Sequence, residues 1–269
     1  MQVIRRVFLW LLIVPVCLLA ADELKQSLDD LGSTDTARYE KARDYLTKHA
    51  GTAIGGLGSL VQDMDKPPLA RLRAVMILGE SKDPESVKIL GNALKDGREQ
   101  NARVRAEIVR SLAAMGQQDL VIDYFNSASE DSPIVRASIA LALRGRSDEE
   151  AKIVLSKLAS SRDDEYVFKA AAIALQETYG RLSPHASRPP VNFKIGGPEA
   201  SVPVASDAAK TGTLALHGEG ESGGKFRHAS SADLAVLRAL KAQEKSPNKS
   251  ISETAHGLLE ELTELYGKR

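Results

Sequence analysis

Three histidines toward the C-terminal end, His185, His217 and His228, share a stretch with Glu219 and Glu221. Imidazole with carboxylate is a donor set for zinc. Their spacing is irregular, and no H-E-x-x-H places two imidazoles on one helix face. They read as solvated loop histidines, and no metal is expected. In the same stretch Gly218, Gly220 and Gly223 spell G-x-G-x-x-G, but a dinucleotide site needs a strand before that turn and a helix after it. Glu219 and Glu221 at the variable positions would also repel a pyrophosphate. Gly224 and Lys225 are followed by Phe226, where a phosphate loop requires Ser or Thr. The single cysteine, Cys17, lies in the N-terminal apolar run, so past that run there is no thiol nucleophile or thiolate site. No catalytic residue and no cofactor is expected.

Recurrence is the stronger signal. Val104 to Leu112 (VRAEIVRSL) returns as Ala70 to Leu78, Val135 to Leu143 and Val167 to Leu175, with degraded copies at Arg38 to Leu46 and Ile251 to Leu259. The closing leucines fall at 46, 78, 112, 143, 175 and 259, at intervals of 32, 34, 31 and 32 residues and then 84. A near-constant period in this range marks an array of helical units, each burying its apolar face on its neighbours.

Turn chemistry divides the units. A lead-in helix ends at Gly32, and Asp35 caps the next one. Pro67 and Pro68 precede the second frame, whose first helix closes at Gly79. Asp83–Pro84 and Ser132–Pro133 mark helix starts. Capping boxes are read at Ser147 to Glu150 and Ser250 to Glu253. Gly55, Gly56 and Gly58 weaken the second helix of the first unit. The long interval holds Arg181 to Ala229, rich in Pro, Gly, Ser and Ala. Ser231 to Ala242, with Leu234, Leu237 and Leu240 as its seam, then completes the fifth unit. A last helix runs from Ser250 to about Tyr266, with Leu258, Leu262 and Leu265 as its seam and His256 in an inward slot. The expected layout is a leader over 1–21, repeats over 22–180, an insert over 181–229 and C-terminal helices over 230–269. The insert is either disordered or a small hairpin of Val191 to Ile195 with Thr213 to His217.

Alternating helices with a Val-Arg start, an Ala pair and a Leu-Gly finish resemble HEAT repeats of the short bacterial, bilin-lyase-like type. The residues are Ala70, Arg71, Ala74, Leu78 and Gly79; Val104, Arg105 and Leu112; and Val135, Arg136, Ala140, Leu143 and Gly145. The resemblance implies an all-α solenoid of five to six helical hairpins, with the long insert in the fifth. It implies that Arg71, Arg105 and Arg136 form a structural ladder at the repeat junctions, where Asp65, Asp96, Asp131 and Asp164 stand before each first helix. Extra apolar residues on the second helices, Ile89, Ile122, Ile153 and Val236, are read as packing. Polar residues on those helices, Lys88, Asn92, Asp123, Asn126, Lys152, Ser156 and Arg238, are expected to line a concave surface for a protein or peptide partner.

The chain opens MQVIRR, followed by an apolar run from Val7 to Ala21. At about fifteen residues the run is shorter than a membrane span needs, and it reads as a secretory signal cleaved near Ala21. An uncleaved anchor, or lipidation at Cys17, is the alternative. Basic and acidic residues balance at 36 each, which gives no electrostatic case for nucleic acid. The function expected is that of an exported, non-enzymatic scaffold for protein–protein interaction in the periplasm or envelope. The alternatives are a ligand-handling or lyase-like enzyme related to the bilin-lyase proteins, and a purely structural envelope component.

Overall fold

The computed structural model describes residues 21–161, 164–180 and 229–266. The leader, up to residue 20, lies outside them. So does 181–228, which holds the glycine pattern, the three loop histidines and both β-prone runs. Among the described residues the regular structure is α-helical, with no strand. The helices are α1 (21–30), α2 (Thr36–Lys48), α3 (Ala50–Gln62), α4 (Pro68–Ser81), α5 (Pro84–Lys95) and α6 (Ala102–Ala114). They continue as α7 (Gln118–Ser127), α8 (Pro133–Ala142), α9 (Glu149–Ala159), α10 (Glu165–Gly180), α11 (Ser231–Gln243) and α12 (Lys249–Tyr266).

The even-numbered helices α2 to α12 stack in chain order as one layer, A, and the odd-numbered helices α3 to α11 as a second, B. The protein is an all-α solenoid. Between the layers the frame leucines Leu46, Leu78, Leu112, Leu143 and Leu175 are all fully buried, each contributing about 1.5–3 kcal/mol of burial. Packing within layer A is extensive from α4 through α10, because small residues face the neighbouring helix: Ala106, Ala137, Ser138 and Ala170 are all buried. Layer B touches lightly in the middle of the array and closely at its end, where α11 lies along α9.

Several helix ends differ from expectation. Asp35 accepts the Ala37 and Arg38 N–H groups, and Asp83 that of Glu85, as the sequence suggests. At α9, however, the cap is Asp148, accepting from Ala151, rather than Ser147. At α12 it is Asn248, accepting from Ser250 and Ile251, rather than Ser250. In both, the side chain nearer the extended turn reaches the free N–H groups first. The reciprocal box falls instead at Ser230 and Asp233, opening α11. Gly79 does not end α4, which continues to Ser81 and stops at Lys82 in the left-handed region. Gly79 lets α6 close in: a Cβ there would lie 2.5 Å from Ser111 Oγ. Gly58 likewise receives Ile89 of α5.

The seam of α11 is turned relative to the sequence reading, whereas that of α12 keeps the Leu258 and Leu262 read for it. On α11 the buried seam is Ala232, Val236, Ala239 and Leu240, whereas Leu234 is 42% exposed. On α12 Leu258 and Leu262 face the core with Ile251 and Ala255, leaving Leu259 half-buried. His256 is not a core residue. It is exposed and pairs with Glu244 and Glu260. The hydrogen bond with Glu244, then the charge of Glu260, raise its pKa.

Candidate protein-docking surface

The repeating arginines hold the repeats together, through acids other than those expected. Arg71 on α4 makes a two-pronged bond to Glu99, at 2.7 and 2.9 Å, with both side chains buried. It also donates to the carbonyls of Met64 and Lys66. Arg105 on α6 repeats the arrangement with Glu130 at 2.9 Å on both prongs, donating to the carbonyls of Glu99 and Gln100. Each glutamate also accepts the N–H of the residue that caps the next A helix, Asn101 or Ser132. One carboxylate thereby fixes both the arginine and the entry to the following repeat. Burial pushes Glu130 up, but bonds from Arg105, the Tyr124 hydroxyl and the Ser132 N–H outweigh it and hold the carboxyl below its ordinary range. Arg136, the third rung, donates to Ser161 Oγ at 2.6 Å. The aspartates serve elsewhere: Asp96 pairs with Arg98, and Asp164 caps α10. At the corresponding place in the fifth repeat Phe168 is fully buried, and the neighbouring Lys169 pairs with Glu165.

Of the polar row expected on the B helices, Lys88, Asn92, Asp123, Asn126 and Arg238 are exposed. Lys152 and Ser156 are not part of any surface, being 7% and 6% exposed. The cause is α11, which runs alongside α9 and covers them. Ser231 meets Glu149, Asp233 meets Lys152, and Gln243 donates to the Ala159 carbonyl. Lys152 Nζ lies 2.7 Å from Asp233 Oδ1, and the Tyr179 hydroxyl donates to the same oxygen at 2.8 Å. Burial raises the Asp233 pKa, but Lys152, the Ser230 N–H, Tyr179 and Tyr266 together bring it down to about 2. Burial and then Asp233 push the Tyr179 phenol far above its usual range. This cluster ties α9, α10, α11 and α12 together across the long interval. Residues 81 positions apart, as Lys152 and Asp233 are, can be matched only once α11 is placed on α9, so repeat spacing gave no hint of the pair. Ile153 stays exposed, while Ile122 and Val236 are buried as expected.

Beside Ile153 and Leu234 on the B helices and Met64 in a turn, the exposed large apolar residues lie on layer A. Among the described residues Leu69, Met76, Ile134 and Tyr166 are each about two-fifths exposed, and all four lie on the outer side of layer A. They occupy two equivalent places, just before the nine-residue frame and at its seventh position. The first row reads Leu69, Arg103, Ile134 and Tyr166 across α4, α6, α8 and α10; the second reads Met76, Arg110, Leu141 and Ile173. Leu141 and Ile173 are half-buried and the two arginines exposed. Seven residues of helix rise set the rows about 10 Å apart, and each row crosses packed helices about 8–10 Å apart. Both rows therefore run apolar, arginine, apolar, apolar.

Most cations bordering this face are engaged. Arg73 stacks on Tyr39, 3.8 Å from the ring centre, and donates to the Leu31 and Ser33 carbonyls. Arg144 pairs with Glu177, and Arg110 with Glu107 one turn back. The Arg103 guanidinium has no partner among the described residues. Sequence reading missed the face because it sought polar side chains on the B helices. The signal lay in large apolar residues at i, i+3 and i+7 opposite the core stripe, as in Leu69, Leu72 and Met76 of α4. A shallow pocket of about 290 Å³ near Leu28, Ser33 and Ala70 is bordered by the Lys66–Asp29 and Arg38–Asp30 pairs, which commits those charges to structure.

HEAT repeats match this sequence over residues 54–125 and 98–176, which takes in the frames carrying the arginine ladder. The chain carries HEAT repeats over this span. The match is to HEAT repeats in general and does not single out the bilin-lyase type. Among solved structures the chain resembles a designed armadillo repeat protein, at 15% identity and a TM-score of 0.40. The alignment covers 89% of this chain and 99% of the other. Comparison with curated proteins found no match. No described helix is long and apolar enough to cross a membrane.

Proposed function

We propose that this protein is a non-enzymatic scaffold that binds another protein on the outer face of its A helices. The observation that carries the proposal is the double row of apolar and arginine side chains repeated across α4, α6, α8 and α10. Exposed apolar and aromatic side chains interleaved with arginine, as here, match the composition of interaction sites. HEAT repeats themselves suggest a protein-interaction scaffold. We further propose that it acts outside the cytoplasm, in the periplasm or envelope, after cleavage of the leader near Ala21. The basic start and apolar run of the N-terminus support this reading.

The test is affinity capture from the native cell with two surface variants beside the wild type. Met76→Asp with Leu141→Asp should lose the partner, while Lys88→Glu with Asn126→Asp on the B helices should retain it. Loss through the B-helix variant alone would move the site to the other layer. For location, mass analysis of the mature protein should show a chain beginning close to Asp22, and an intact leader would contradict export by cleavage.

A further inference from the structure

Resting on the proposed docking role of the A face, we infer that its occupant is an extended peptide segment carrying an acidic residue between apolar ones. The two rows are interrupted only at α6, and both times by arginine: Arg103 in the first row and Arg110 in the second. Arg103 has no partner among the described residues. It stands between Leu69 on one side and Ile134 on the other, so a ligand filling the apolar places brings its middle residue onto an exposed cation. A carboxylate there gains a charge-assisted bond, whereas a cation is repelled. Arg110, about two turns along the same helix, is held by Glu107 in a partly exposed ion pair, so among the described residues of this face Arg103 is the cation free to meet the ligand.

The spacing sets the form of the peptide. Successive places lie one helix apart, about 8–10 Å. A polyproline-II chain turns once every three residues and rises about 9.3 Å in doing so, so it presents every third side chain to successive A helices. The motif that fits the first row is apolar-x-x-acidic-x-x-apolar-x-x-apolar, aligned with Leu69, Arg103, Ile134 and Tyr166. On the B helices the exposed large apolar residues, Ile153 and Leu234, are confined to α9 and α11 and form no row across the array.

The probe is a fluorescein-labelled decapeptide with leucine at its first, seventh and tenth positions, glutamate at the fourth and proline or serine elsewhere. It is compared by fluorescence anisotropy with a twin carrying lysine at the fourth position. The glutamate peptide should bind about five- to thirtyfold more tightly at low salt, the range for exchanging one exposed attraction for a repulsion. Arg103→Glu with Arg110→Glu, verified as folded by its helical circular dichroism and melting, should reverse the preference. Equal binding of the two peptides, or a preference that survives the charge reversal, overturns the acidic motif while leaving docking on the face intact. Failure of both peptides to bind, with Met76→Asp and Leu141→Asp also leaving native partner capture unchanged, overturns the docking face itself.

Discussion

At the scale of single residues, the ladder grades from ionic and buried to neutral. Glu99 is buried with Arg71, Glu130 is buried under a partly exposed Arg105, and Ser161 stands where an acid would complete the third rung. Removing one partner of a buried pair leaves the other charge uncompensated. Denaturant unfolding should therefore show losses of about 3 kcal/mol for Glu99→Ala, about 2 for Glu130→Ala and about 1 for Ser161→Ala. Equal costs would mean the rungs contribute by shape alone. The arginines were readable because they recur in one frame. Their acids were not, since they sit 28 and 25 residues downstream in turns with no common spacing to the nearby aspartates. The Lys152–Asp233 pair was hidden for the same reason, and its energetics should be non-additive. Asp233→Asn alone strands a buried ammonium and should cost about 3 kcal/mol, whereas adding Lys152→Met should return most of that loss. Simple addition of the two effects would contradict the pairing. Because the Asp233 pKa is lowered to about 2 from 3.8, its contribution is complete above the unfolded value and fades as pH falls through the folded one. The wild type should lose more stability than Asp233→Asn between about pH 4 and pH 2.

At the scale of elements, helix existence and order followed from apolar periodicity, because every core stripe repeats one frame. Boundaries and faces were less accessible where tertiary contact decides them. Gly79 looks like a stop signal but is a place of close approach, and Leu234 looks like a seam but faces outward because Val236 and Leu240 fit against α9. The glycines give a direct check. Gly55 lies on the exposed side of α3 with open space around a built Cβ, so Gly55→Ala should raise stability by up to about 1 kcal/mol. Gly79→Ala would place its Cβ 2.7 Å from Ser111 Cβ and 3.4 Å from its Cα, forcing α4 and α6 apart. It should lower stability despite the better helix propensity of alanine. Thermal melts of the two variants should move in opposite directions, and a gain from both would mean that the α4–α6 approach is not tight.

At the scale of the whole molecule, a solenoid separates what holds it together from what it shows to others. The frame leucines and ladder arginines serve the first task, and the period of 31 to 34 residues made both visible in the sequence. The second task falls to places that the frame leaves free, and these carry no motif of their own. That is why the array could be read from the sequence, whereas the docking face came from the outward positions of layer A once its helices were stacked. The Lys152–Asp233–Tyr179 cluster joins repeats four to six across the long interval, so the face on α4 to α10 is backed by a continuous array. The most direct test is site-specific photocrosslinking in the native cell, with a benzophenone side chain placed in turn at Met76, Leu141 and Ile173 of the A face and at Lys88, Asn126 and Arg238 of the B face. The account predicts a discrete crosslinked partner from the first three positions and none from the second three; adducts from the B positions, with the A positions silent, would contradict it.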